Sequence, residues 1–300
     1  MIFKSLFVTF LLVLCYSFCL NINPVQIRRG QHQWQDNCIK VQEYLLHANQ
    51  YKSVIVGSSL ASRLHGNNIP DGYYNLSFGG LSVYDGFQIL KADLHNIPDT
   101  LFIEMNILHR KPDVSFTAAQ TFPVSVLLRK HLFIMQDKSQ PAVITGNSMM
   151  ECVGSKIIDP FTGRYFNPVM RRFSSLISFE PYQNIDLEQS LGNNIIKEFN
   201  SDETLKQTKI LVPLLYQNVE YFLRQKAKVV FFEMPMLKDI ENSRQMQLVR
   251  KSILYRYQKM PGVTILPKPA YAHYATTDGL HLDSKNAEVY TKWLFTTWHQ

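Results

Sequence analysis

Short apolar runs alternate with amphipathic stretches along most of this chain. Ser53–Val56, Thr100–Glu104, Lys228–Phe232 and Val263–Leu266 are continuous apolar runs of strand length. Gly72–Leu76 is a further short run, set off by the turn residues Asn67, Asn68, Pro70, Asp71 and Gly72. Between them, apolar positions recur at helical spacing over Asp36–Ala48, Val83–His95, Lys206–Gln225, Glu241–Gln258 and Ser284–Trp298, the last with Asp283 or Ser284 as its N-cap. Strands alternating with helices predict an α/β fold built on a parallel sheet covered on both faces. The interval from His109 to about Ser201 breaks the rhythm. It offers one apolar helix over Phe122–Met135, and Arg129, Lys130 and His131 argue against that helix as a membrane span. An insertion after a strand commonly builds a lid or a substrate wall.

The N-terminus changes this picture. Met1-Ile2-Phe3-Lys4 precedes an apolar stretch from Ser5 to Leu20, the layout of an export signal. Its length falls between a cleaved signal core and a span of about 20 residues. Residues 1–22 therefore read as a signal peptide, cut after Cys19, or as a retained membrane anchor. Residues 23–50 form a linker and helix, and 51–300 one domain carrying an insertion at about 110–203. A chain of 300 residues, 46% hydrophobic, can bury a full core of that size. The net charge of +7 comes from scattered basic residues, paired at Arg28-Arg29, Arg129-Lys130 and Arg171-Arg172 but never in a block. That pattern is a solvated surface and argues against a nucleic-acid partner; a polyanionic glycan or an anionic membrane face is the weaker alternative. Cys15 and Cys19 lie in the apolar segment, which leaves Cys38 and Cys152 as one disulfide or as two unpaired core residues. With no Cys-x-x-Cys and no His pair at helical spacing, neither a metal nor another cofactor is expected.

Two motifs carry candidate chemistry. Gly57-Ser58-Ser59 directly follows the first apolar run, and Asp278-Gly279-Leu280-His281 lies near the C-terminus. A serine hydroxyl is a poor nucleophile until an adjacent base takes its proton, and an imidazole needs a carboxylate to orient it. Ser59, His281 and Asp278 supply those parts in the order Ser…Asp…His, which suits a serine at the carboxyl end of a strand. Each has a plainer reading. Ser58 competes as nucleophile or bonds within the turn, Asp278-Gly279 is an ordinary turn dipeptide, and an asparagine such as Asn106 can serve a strand end's backbone. Glu104 is given no role, and His65, His109 and His273 read as surface or pocket residues. Tyr271, Tyr274 and Trp298 read as packing.

Taken together, four elements in chain order resemble the SGNH (GDSL-like) hydrolase superfamily. They are Gly57-Ser58-Ser59, Asn75 to Gly80 after the second strand, Asn106 ending the third, and Asp278 to His281 before the last helix. The resemblance spans about residues 51–108 and 227–298. It departs from the family pattern in having Gly-Ser-Ser for Gly-Asp-Ser and Met105-Asn106-Ile107 for Gly-Asn-Asp. It implies a flavodoxin-like three-layer sandwich with a parallel sheet. It further implies catalysis by Ser59, Asp278 and His281, with an oxyanion hole from the Ser59 and Gly80 N–H groups and the Asn106 amide; Gly79 is the alternative to Gly80. The Gly-Ser-Ser turn behind an N-terminal membrane segment looks like the branch that modifies bacterial envelope polymers. That branch implies an extracytoplasmic serine O-acyl esterase or O-acyltransferase. It would act on acyl, foremost acetyl, groups of a polysaccharide, and a transferase would need a membrane acyl-donor protein. The alternatives are a secreted lipase or thioesterase, or a non-catalytic glycan-binding module on the same fold.

Overall fold

Five short segments, β1 (Ser53–Val56), β2 (Tyr73–Asn75), β3 (Thr100–Glu104), β4 (Lys228–Phe232) and β5 (Val263–Ile265), pair into one all-parallel sheet of order β2-β1-β3-β4-β5. The computed structural model describes residues 2–22, 33–64, 66–93, 96–140, 185–269 and 274–298. The central strands are apolar on every face because both sides of the sheet are covered. Val54, Ile55, Val56, Leu101, Phe102, Ile103, Val229, Val230 and Phe231 are all fully buried. The edge strands β2 and β5 span three residues each and stay partly exposed, which limits the free edge offered to other chains.

Ten helices are described: α1 (Ile2–Ile22), α2 (Gln33–His47), α3 (Val83–Ala92), α4 (Val114–Thr121), α5 (Pro123–His131), α6 (Ile185–Asn200), α7 (Asp202–Arg224), α8 (Lys238–Glu241), α9 (Arg244–Tyr257) and α10 (Ser284–Trp298). Helices flanking a parallel sheet are consistent with a three-layer sandwich. Strands β3 and β4 and helix α10 have the bounds expected from sequence, and Asp283 caps α10 by accepting the Asn286 N–H at 2.7 Å. Helix α6 falls in the interval where no periodicity was evident. The apolar stretch at Phe122–Met135 is split into α5 and a separate 3-10 turn at Phe133–Met135. Tyr274 and Trp298 pack edge-on against Tyr290 and Phe102. Cys152, Arg171-Arg172, His65, His273, Tyr271 and the Cys38–Cys152 pairing lie outside the described residues.

The chain divides into two units. The smaller comprises Met1–Gln42 and Val126–Asn184, where α1 packs on the 3-10 turn at Phe133–Met135 and the Tyr16 hydroxyl donates to the Ser139 carbonyl at 2.5 Å. Among the described residues no helix is long and apolar enough to cross a membrane. The larger unit, Glu43–Ser125 and Ile185–Gln300, holds the sheet and the main core. There α3 lies very close to β1, because Gly86 leaves no room between them. A Cβ at Gly86 would sit 2.7 Å from Val56 Cγ1 and 2.9 Å from Val56 Cβ. Val56 is β-branched and cannot swing aside. We expect Gly86→Ala to destabilise the protein by about 1–3 kcal/mol, although alanine gains about 1 kcal/mol of helix propensity over glycine. Denaturant unfolding checks this, and a raised midpoint would contradict it.

Candidate active site

The strand order 2-1-3-4-5 reverses direction between β1 and β3, and in such sheets ligands bind beyond the carboxyl ends of the strands at that point. Ser59 lies three residues past the end of β1, beside the end of β3. Its hydroxyl is 2.9 Å from His281 Nε2, and His281 Nδ1 is 2.6 Å from Asp278 Oδ2. Two backbone groups, the N–H of Leu280 at 3.0 Å and of His281 at 2.8 Å, donate to Asp278 Oδ1. Burial raises the Asp278 pKa, but the bonds from the His281 ring and the backbone outweigh it and hold the carboxyl at about 2. An ionised carboxylate only accepts, so His281 Nδ1 carries the proton and Nε2 is left to accept from the Ser59 hydroxyl.

The Asp278–His281 turn is what aims the ring. It closes a small antiparallel loop in which Thr276 bridges Leu282 and the Thr277 N–H donates to the His281 carbonyl at 2.8 Å. Gly279 sits at its tip with φ +86°, in the left-handed region that favours glycine. Its carbonyl accepts the Leu237 N–H at 2.7 Å, which fastens the turn to the segment after β4. The ordinary turn dipeptide is therefore also the device that orients the His281 ring.

Gly80 has φ +73° and lies at the surface, in the segment between β2 and α3. Asn75 braces the start of that segment, donating to the Ala61 carbonyl at 2.8 Å and accepting the Ser77 N–H at 3.1 Å. Its end is held by Asp85, which is fully buried and accepts from the Ser82 N–H, the Ser82 hydroxyl and the Asp113 N–H. Arg110 adds a bond to the Leu81 carbonyl at 3.2 Å. The backbone N–H groups of Ser59 and Gly80 donate to no acceptor among the described residues.

Asn106, expected from sequence as an oxyanion donor, is fully buried and bonds the segment after β4: Nδ2 donates to the Met234 carbonyl at 2.9 Å and lies 3.3 Å from Met236 Sδ, while Oδ1 accepts the Met234 N–H at 2.7 Å. It serves the strand-end backbone, the plainer of its two readings. Glu104, two residues earlier, does reach the serine loop, accepting from the Ser58 N–H at 2.7 Å and the Ala61 N–H at 3.2 Å. The signal was present in the sequence, because a carboxylate closing an otherwise apolar strand must find donors. The Ser58 side chain is buried against Glu104, whereas Ser59 meets His281. Among the described residues no group of three or more His, Cys, Asp or Glu side chains could hold a metal ion.

No protein-family model matches this chain, and no curated protein is similar to it.

His109, read from sequence as a surface or pocket residue, is mostly covered and packs edge-on against Phe199, and its Nδ1 has no hydrogen-bond partner among the described residues. Burial, with the Arg110 charge adding to it, pushes the imidazole down from 6.5 to about 4. The half-exposed Glu198 carboxylate, 3.6 Å away, therefore faces a neutral ring at pH 7. Between pH 6.5 and 4 the unfolded chain binds a proton that the folded protein does not, so stability falls as pH drops through that window. We expect His109→Phe to flatten this fall by on the order of 2 kcal/mol. Denaturant unfolding at pH 7 and 4.5 measures it, and an unchanged pH dependence would count against it.

Proposed function

We propose that the chain is a serine-dependent O-acyl esterase or O-acyltransferase with an SGNH-type hydrolase fold and an insertion at about residues 110–203. The observation that carries this reading is the unbroken relay from Ser59 through His281 to Asp278 beyond the carboxyl ends of the strands. In the reaction, Ser59 Oγ attacks the acyl carbonyl carbon and its proton passes to His281 Nε2. Asp278 keeps the imidazolium oriented and neutralises its charge. The N–H groups of Ser59 and Gly80 are the proposed oxyanion donors, each worth about 3 kcal/mol in such sites. Collapse of the tetrahedral adduct expels the alcohol, which takes the proton from His281 and leaves an acyl-serine. Water or a sugar hydroxyl, deprotonated by His281, then attacks that ester and frees Ser59.

The apolar N-terminal segment, with its single lysine at position 4, supports an extracytoplasmic location by way of a signal peptide or anchor. The substrate we propose there is an acylated envelope polysaccharide, served by a membrane acyl-donor protein if the enzyme transfers. A non-catalytic glycan-binding module and a secreted lipase or thioesterase are the other outcomes of the test.

The full-length chain and Ser59→Ala should be compared on 4-nitrophenyl acetate, with intact-mass detection of an acetyl adduct. We expect Ser59→Ala to lose at least about 1000-fold in kcat/KM, together with the adduct. Clearance onto an added oligosaccharide marks a transferase, and clearance to water an esterase. A preference for long acyl chains would mark a lipase. Equal turnover by both proteins, with no adduct in either, would overturn the catalytic reading and favour the binding module.

A further inference from the structure

The loop that presents Ser59 rests on a buried carboxylate. Glu104 is 1% exposed at the end of β3. Its Oε2 accepts the Ser58 N–H at 2.7 Å and the Ala61 N–H at 3.2 Å, so the amides before and after the Ser59–Leu60 pair converge on one oxygen. The Ser58 hydroxyl lies 3.0 Å from Oε1 and 2.9 Å from Oε2, and its oxygen accepts the Leu60 N–H at 3.2 Å. From Ser58 to Ala61, the Ser59 N–H alone has no acceptor among the described residues.

Gly57 makes this seat available. A Cβ there would stand 2.6 Å from Glu104 Oε2 and 2.7 Å from Ala61 Cβ, so any other residue would push the carboxylate out of the loop. Leu101, Phe102 and Ile103 of β3 are apolar and fully buried, and an aliphatic residue at 104 would suit that core better than a desolvated charge. Burial pushes the Glu104 pKa up, and the Ser58 and Ala61 bonds and the Arg110 charge offset only part of that rise. An acceptor-only group is the right partner for three converging donors, and a carboxylate has the lone pairs for all of them.

We propose that Glu104 is a positioning residue for the Ser59 site. Its carboxylate draws the Ser58 and Ala61 N–H groups onto the end of β3, so that Ser59 Oγ meets His281 Nε2 and the Ser59 N–H stays free for the oxyanion. This rests on the reading of Ser59 as nucleophile. Glutamine at 104 keeps one acceptor oxygen for the two amides but turns an N–H group toward the Ser58 hydroxyl. Alanine removes the seat altogether.

The test uses the full-length chain, with kcat and KM on 4-nitrophenyl acetate corrected for folded fraction by circular dichroism. We expect Glu104→Ala to lose about 100-fold in kcat, the cost of a misplaced reacting group, with KM changing less than about twofold. Glu104→Gln should recover about tenfold of that loss. A merely structural role would lower the folded fraction and leave kcat per folded molecule unchanged. If Glu104→Ala does not fold, Glu104→Gln decides alone, and a kcat within about twofold of wild type would overturn the proposal. Ser59→Ala separates the two claims. If it retains activity, the nucleophile reading fails; if it is inactive while both Glu104 variants match wild type, only the role of Glu104 fails.

Discussion

Ser59 and His281, 222 positions apart in the chain, come within 2.9 Å of each other, and the parallel direction of every strand is the constraint that brings them there. Parallel strands deliver all their carboxyl ends to one edge of the sheet, and the following loops leave from that edge together. The loop after β1 brings the serine, the segment between β2 and α3 brings Gly80, and the segment after β4 fastens the turn that carries Asp278 and His281 through the Leu237–Gly279 bond. Moving β1 against β3 by one residue would turn every buried side chain of β1 to the opposite face. The register Val56↔Ile103 thus fixes both the core and the position of Gly57 over Glu104.

The same edge concentrates the buried polar groups. Asp85, Glu104 and Asn106 are all at most 1% exposed, and each bonds backbone groups of a neighbouring segment. Asp85 ties the start of α3 to the segment after β3, Glu104 ties β3 to the serine loop, and Asn106 ties β3 to the residues after β4. A satisfied buried network costs less than its members would alone and fixes one arrangement of loops that have few apolar contacts of their own. Rigid support beneath and an open donor above is what acyl transfer asks of a nucleophile loop.

The sheet was legible in the sequence because strands buried on both faces are continuous apolar runs, and β3 and β4 run as far as those runs do. Helix α10 was legible from its polar start at Asp283 and its spaced aromatics. Helix α6 was not, because the turn-type run Gly192-Asn193-Asn194 interrupts its apolar positions Leu187, Leu191, Ile195 and Phe199. Within the site, residue types and spacing singled out Ser59, Asp278 and His281, and the structure brings these three side chains together. Spacing could not say which of two polar residues at or just past the end of β3 would face the serine. Glu104 and Asn106 are two positions apart, and their roles follow from the neighbouring strand each one reaches: the loop after β1 for Glu104, the end of β4 for Asn106.

The claim on which the account turns is that Ser59, and not the buried Ser58, is the nucleophile activated by His281. Labelling the full-length chain with a fluorophosphonate, followed by peptide mapping, tests it most directly, because that reagent reacts with a serine only when a neighbouring base has activated it. The account predicts a single phosphonyl adduct on Ser59, abolished in His281→Ala. An adduct on Ser58, or labelling that persists without His281, would contradict it.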